Sequence, residues 1–383
     1  ELLDMNISYN TIRRLYGLAP YTKANSKTLN TLAQFVGYNN FLQFTQNFSY
    51  KEQTKLFQIT YKALYDENDD EILNLVKKTK INQEDFIGFI TMLIRELFHK
   101  NKYTLIEKIF NLNELQYKNF NYSELLFLGN SVGLILRKEK QVHKKLIKNV
   151  NFLNCIYLTF VDYSSLNTYY GQWTKALQGI KTTDEISIFN AALLQFKNFL
   201  NNKPIKEIEH DFIYTEGLHP ILCSRLIALK FLSNKKCDVT ETLTKYYNIH
   251  SKKVNLTDYS YELYTTAILK KNIEVMEFLI EEVKLNIEFF YQKHHLNSFY
   301  LMCAFYYKFT KNKSEEIKKF KRFSINECRY SYGEFIDLIY QIYLYHSSKL
   351  ISEQKRIKKN YLELSEKLNY PYFSESYLLD YFD

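Results

Sequence analysis

Glycine and proline are scarce in this chain, 9 and 4 among 383 residues. Sheets and tight hairpins draw on both for their turns, whereas helix interiors exclude both. The shortage therefore excludes a turn-rich β protein and points to an all-α chain. Cysteine is also sparse: Cys155, Cys223, Cys237, Cys303 and Cys328 are scattered, odd in number and without a CxxC pair. That excludes a disulfide framework and a zinc ribbon, and the expected compartment is reducing and cytoplasmic. No run of 18 apolar residues occurs, and no basic segment leads into an apolar one at the start, so no membrane insertion is expected. The chain opens on Glu1 rather than Met, as expected if an upstream segment has been removed. GxSxG, Walker, GxGxxG and HExxH elements are missing, so the chain is expected to be non-catalytic, with no cofactor and no metal.

What is present is helical patterning on a basic, aromatic background. The net charge of +9 permits an acidic partner without demanding one. The 34 tyrosines and 29 phenylalanines, beside the single Trp173, serve either as stacking platforms for bases or as core filling in an AT-rich coding background.

In "NQEDFIGFITMLIRELFHK", residues 82–100, Asn82 is placed to cap and Glu84 and Asp85 suit the positive helix end. Phe86, Phe89, Ile90, Leu93 and Leu97 recur at spacings of three and four. Helices of the same kind are expected over 51–65, 69–79, 102–110, 123–137, 140–149, 153–166, 167–179, 184–201, 218–233, 238–247, 258–271, 273–284, 294–310, 313–322, 331–349 and 350–368. Lys270, Lys271 and Asn272 make one of the short turns. Short links imply antiparallel neighbours.

The fold class this predicts is all-α, a small N-terminal helical module followed by an irregular α-solenoid of stacked helical hairpins. Seams are expected near 48–52 and at the stretch bracketed by Pro204 and Pro220. They give a module over 1–48, a first half of the stack over 49–203, and a second half over 204–383. The last stretch, "YPYFSESYLLDYFD", is expected either to cap the final helix face or to offer an aromatic peptide to another protein.

At the N-terminus, Ser8 can cap a short helix that Gly17 terminates. Ile12, Leu15 and Tyr16 share one face, and Asn10, Arg13 and Arg14 the other, side chains suited to phosphates and base edges. Ser26 caps a second helix with a Leu29, Leu32, Ala33, Val36 stripe closed by Gly37, and Phe41, Phe44 and Phe48 follow.

The run "S..TIRRLYG", then "SKTLNTLAQFVGY" and "F..F", resembles the N-terminal module of bacterial proteins related to the repressor-type helix-turn-helix family. The resemblance implies that Tyr9, Asn10, Arg13 and Arg14 face DNA, with Ile12, Leu15, Leu29, Leu32 and Val36 in a small core, and it covers about 45 of 383 residues. The chain departs from the family in its longer loop, "LAPYTKAN", and the helices that should precede the recognition helix would lie mostly before Glu1. Further on, "YYGQWTKALQGI", residues 169–180, resembles the first helix of a tetratricopeptide-type repeat, without the fixed 34-residue period.

The densest basic stretch, "RKEKQVHKKLIK", carries Arg137, Lys138, Lys140, Lys144, Lys145 and Lys148. It either contacts phosphates or is the wet face of one helix with Val142, Leu146 and Ile147 inward. "KKFKR" (318–322) and "QKRIKK" (354–359) leave the same two readings. His294 and His295 are adjacent, so on a helix they point about 100° apart and cannot grip one metal as an i, i+4 pair would. "EIEHD", 207–211, gathers carboxylates around His210 without a second cluster to complete a site. The function these features imply is that of a non-catalytic binding protein, a DNA-associated regulator whose stack takes a protein or peptide partner and which works as a homodimer on DNA. The alternative is a scaffold or adaptor subunit that binds no DNA.

Overall fold

The computed structural model describes residues 7–15, 24–47, 50–79, 86–138, 142–206, 208, 220–233, 237–250, 256–286, 293–328 and 332–383. Among them the regular structure is entirely helical. The α-helices are α1 (Tyr9–Leu15), α2 (Ser26–Phe35), α3 (Phe41–Asn47), α4 (Tyr50–Tyr65), α5 (Asp69–Lys78), α6 (Phe86–His99) and α7 (Tyr103–Phe110). They continue with α8 (Tyr122–Leu136), α9 (Val150–Phe152), α10 (Tyr169–Leu177), α11 (Asp184–Leu200), α12 (Pro220–Leu232), α13 (Val239–His250) and α14 (Leu256–Leu269). The last are α15 (Ile273–Asn286), α16 (Lys293–Phe309), α17 (Lys313–Phe320), α18 (Gly333–Ser347), α19 (Ile351–Leu368) and α20 (Glu375–Leu379). The chain divides into two compact units, residues 1–89 and 90–383.

How a chain with so little glycine turns between helices is visible at the helix ends. Glu67, Asn101, Asn202, Lys271, Lys311 and Asn369 adopt φ between 52° and 57°, each just past a helix. The left-handed residue lets the next N–H reach back five residues: Asn68 to Ala63 O, Lys102 to Leu97 O, Asn272 to Ala267 O and Asn312 to Tyr307 O, all at 2.9 Å. At three of those four turns that next residue is an asparagine whose side chain caps the following helix, through Glu71 N, Val275 N and Glu315 N. One two-residue device thus makes a helical hairpin at 67–68, 271–272 and 311–312, at about 1 kcal/mol or more for each left-handed non-glycine residue.

Within the first unit, α2 starts one residue earlier than its sequence suggests: Asn25, not Ser26, receives the cap hydrogen bond from Thr28 N (2.8 Å). Ala33 is the buried member of the expected stripe, Leu29 and Leu32 are half-buried, and Val36, past the helix end, is exposed. Gly17, Phe48 and Asn82 lie outside the described residues.

The second unit is centred on α12, α14 and α16, which pack on one another through α14. Every residue from Tyr259 to Leu269 is buried, so this part of α14 has no wet face, and Leu222–Leu229 and Asn297–Phe305 are buried in the same way. A helix apolar on all sides must sit inside. The C-terminal stretch closes the end of α14: the Tyr372 and Tyr377 hydroxyls donate to Leu269 O (2.6 and 2.9 Å) and Tyr381 to Ile268 O. Those carbonyls belong to the last turn, where a helix leaves its acceptors open. Tyr370 also donates to Tyr163 O (2.5 Å) and accepts from Leu166 N (2.9 Å).

Two expected helices are absent. Residues 142–149 form a turn and a single 3₁₀ turn over Leu146–Lys148, in which Leu146 and Ile147 are buried, so the stretch is no continuous amphipathic helix. Its apolar residues are too few and too close together to hold two helical turns against the core. The span expected at 153–166 is instead a π-helical turn, Leu153–Tyr157, followed by a 3₁₀ turn, Tyr163–Ser165.

Candidate functional site

The N-terminal residues sit on a seven-residue helix whose start is held by Ser8, which accepts from Thr11 N (3.2 Å). Tyr9, Asn10 and Arg13 are exposed, and the Arg13 guanidinium lies 5.8 Å from the Tyr9 ring centroid. The side chains of Ile12, Arg14 and Leu15 lie outside the description.

The basic stretch divides by role. Arg137 Nε contacts the buried Asp162 at 2.7 Å, and Asp162 also accepts from the Tyr169 hydroxyl at 2.7 Å. Burial lowers the Arg137 pKa, but its hydrogen bond and charge pairing with Asp162 outweigh that and hold it raised. Lys145 reaches Thr104 Oγ1 (3.2 Å) and lies 3.9 Å from Glu107. Lys138, Lys144 and Lys148 are exposed, and Lys140 is outside the described residues. The stretch is therefore one structural arginine and a set of surface lysines, not one helix face. "EIEHD" is also outside the described residues apart from Ile208.

A concave site that the sequence reading did not single out opens in the second unit, between α8, the 153–160 segment and α12. Gly129 and Gly133 let α8 press onto that segment: a Cβ on Gly129 would lie 2.4 Å from Thr159 Oγ1, and one on Gly133 would lie 2.1 Å from the Phe160 ring. The π-helical turn supplies the other wall. Leu158 N reaches Leu153 O (2.9 Å), the Tyr157 carbonyl takes the Tyr170 hydroxyl (2.9 Å), and Thr159 Oγ1 donates to Cys155 O (2.5 Å).

Two adjoining cavities share Leu126, Leu158, Thr159 and Ile221 and form one groove. The first, about 230 Å³, is walled mainly by Leu125, Leu126, Leu158, Phe189, Ile221 and Leu222, with Glu185 and Asn154 at its polar margin. Burial raises the Glu185 carboxyl. The second, about 200 Å³, is lined by Asn130, Arg225, Tyr261, His294, His295, Ser298, Cys328 and Tyr332 besides its apolar residues. His294 and His295, which diverge on their helix, both reach it. The Tyr261 ring stacks on His295 at 4.0 Å and meets His294 edge-on at 5.5 Å. Burial, with the charge of Glu327, pushes the Cys328 thiol up to about 12, so it stays protonated at neutral pH. Among the described residues no group of His, Cys, Asp and Glu is arranged to hold a metal ion.

Behind this polar end lies a buried charge pair. Arg225 and Glu262 are 2% and 5% exposed. Arg225 Nη2 donates to Glu262 Oε1 (2.7 Å) and Nε to the Tyr163 hydroxyl (2.7 Å). Tyr163 in turn donates to Glu262 Oε2 (2.6 Å), and Tyr332 to Oε1 (2.8 Å). Burial lowers the Arg225 pKa, but the charge of Glu262 more than restores it and the guanidinium stays protonated. Burial, with the charge of Glu262, holds the Tyr163 and Tyr332 hydroxyls well above their ordinary pKa, as donors. The guanidinium also lies 4.9 Å from the Phe189 ring centroid. Its third nitrogen, Nη1, is buried and has no hydrogen-bond partner among the described residues.

No signal from periodicity marks these residues, because α12, α14 and α16 are buried on nearly every side, so no single stripe faces the core. Two local signs were available: a glycine pair four apart in α8, and a lone arginine inside "ILCSRLIALKFL". Compared with known protein families, curated proteins and solved structures, the chain matches none. No described helix is long and apolar enough to cross a membrane.

Proposed function

We propose that this chain is a non-catalytic binding protein, a DNA-associated regulator whose second unit takes a segment of a protein or peptide partner in the groove between α8 and α12. The observation that carries the reading is the groove itself. Its walls are apolar along one half, its polar groups are concentrated at the other, and its one lining thiol is held protonated. Apolar walls with a few fixed polar groups are how proteins seat ligands. The DNA half of the reading rests on the resemblance and on exposed Tyr9, Asn10 and Arg13. It is tested by binding to a random duplex pool at two salt concentrations, beside an Arg13→Ala/Arg14→Ala double variant. Sequence-selective binding that the variant loses supports it. Weak binding that vanishes with salt and ignores the substitutions overturns it and leaves the partner-binding unit.

A scaffold without DNA binding is the second reading, and one observation favours it. Phe35, Val36 and Leu42 are 58%, 54% and 64% exposed on or just past two short neighbouring helices, a composition suited to a protein partner rather than to phosphates.

A further inference from the structure

We propose that the polar end of the groove is a carboxylate site and that it takes the C-terminal residue of a peptide, the apolar end holding that peptide's side chains. The inference rests on the partner-binding reading above and names the chemistry of the segment bound.

The argument starts from Arg225. The Nε and Nη2 edge of its guanidinium is occupied by Tyr163 and Glu262. Neither of those residues lines the polar cavity, whereas Arg225 does. The nitrogen left over is Nη1, covered and without a hydrogen bond among the described residues. A buried guanidinium N–H with no acceptor costs free energy, and a carboxylate oxygen is the acceptor that relieves it most, because both partners are charged and little water competes. The pair's own carboxylate cannot serve: Glu262 already accepts from Arg225, Tyr163 and Tyr332. The imidazoles of His294 and His295 add further nitrogen-bearing rings on the same wall.

Charge also sets the direction in which a ligand lies. Glu185 sits at the apolar end, so an anionic head is repelled there and drawn to the Arg225 end. Each cavity also carries a side-chain amide that a hydrocarbon tail would leave without a partner, Asn154 in the first and Asn130 in the second. Asn154 spends its Nδ2 on Val150 O (2.9 Å) and keeps its side-chain Oδ1, and the side chain of Asn130 makes no hydrogen bond among the described residues. Peptide N–H and C=O groups match these amides, which is why the occupant is a peptide end rather than a fatty acid.

The test is calorimetric titration of the full chain with a pool of N-acetylated tripeptides ending in leucine, isoleucine or phenylalanine. The pool is supplied as free acids and as C-terminal amides, with decanoate and decanol beside it. Two variants accompany the wild type: Leu126→Trp, which fills the shared part of the groove, and Arg225→Lys, which keeps the charge but loses the fork. The proposal expects the acids to bind at least tenfold tighter than the amides, and Leu126→Trp to lose both. Where its melting curve shows it folded, Arg225→Lys is expected to lose the preference for acid over amide. Equal binding of acid and amide, abolished by Leu126→Trp, overturns the carboxylate site and leaves the peptide groove standing. Acid binding that ignores Leu126→Trp places the effect on surface lysines and overturns the proposal. Tighter binding of decanoate than of the peptide acids overturns the peptide occupant. Binding of no probe overturns both the site and the groove.

Discussion

The helices described within residues 26–47 and within residues 222–305 are held by different forces. In α2 and α3 one side chain, Ala33, is fully buried, and order comes from local hydrogen bonds: the Asn25 cap, Asn40 Oδ1 accepting from Gln43 N (2.8 Å), and Asn30 Oδ1 accepting from Phe41 N (2.9 Å). In α12, α14 and α16 nearly every described side chain is buried, and the two opposite charges that go inside, Arg225 and Glu262, are paired with each other. The contrast separates a region that leaves apolar surface exposed from a region that completes its own core. Short helices with half-covered faces are marginal alone, whereas a helix buried all round leaves nothing for a partner except the groove beside it.

The largest expected effect falls on the buried pair. Glu262→Ala leaves the Arg225 charge and two tyrosine hydroxyls uncompensated, and the second unit should lose about 3–5 kcal/mol in a denaturant melt. An unchanged midpoint would mean that water reaches the pair and that the two regions are less different than described. A second change tests the same core by pH. Burial raises the Glu316 pKa, but hydrogen bonds from Lys313 and Tyr343 and the nearby Lys308 charge more than reverse that, so its carboxyl sits below its ordinary 4.5. A depressed carboxyl pKa contributes stability that is present above the unfolded value and lost as pH falls through the folded one. The acid limb of the stability curve below about pH 4.5 should therefore flatten in Glu316→Gln, and an acid limb identical to wild type would remove Glu316 from that account.

Smaller effects belong to the N-terminal helices. Asn25→Ala should cost about 1 kcal/mol, read as faster amide exchange in α2 with the melt of the second unit unmoved. If that melt moved too, local capping could not be what holds α2. Smallest of all, Leu42→Ser should change stability by no more than about 0.5 kcal/mol. A loss of about 2 kcal/mol would show that Leu42 is covered in solution, for instance by a second copy of the chain.

How much of this was legible beforehand follows the same contrast. Amphipathic α5, α7, α11 and α19 announce themselves through their period, and the Lys270–Asn272 turn falls where it was expected. Scarce glycine did indicate helices, but not that asparagine, lysine and glutamate would take the left-handed turns in its place. The π-helical turn at Leu153–Tyr157 was illegible, because its extra residue is accommodated by contacts with Tyr170 and Thr174 far along the chain. The groove was illegible for a similar reason. Arg225 and Glu262 lie 37 residues apart in helices buried on nearly every side, where no stripe tells which way a side chain faces. The basic stretch misled because charge density in sequence says nothing about which member, here Arg137, is committed to a buried carboxylate.

The tyrosine hydroxyls on the end of α14 bear on the order in which the molecule is made. Tyr372, Tyr377 and Tyr381 close carbonyls 103 to 113 residues earlier, and Tyr370 closes one 207 residues earlier. A ribosome emits α14 long before those side chains exist, so the Leu269 carbonyl at the end of this central helix waits without its hydroxyl partners until residues 370–381 follow. Contacts of such long sequence separation make folding slow and leave apolar surface exposed meanwhile. Folding of this unit is therefore a late event in its synthesis, and a nascent chain stalled before Tyr370 is the species that a chaperone would meet.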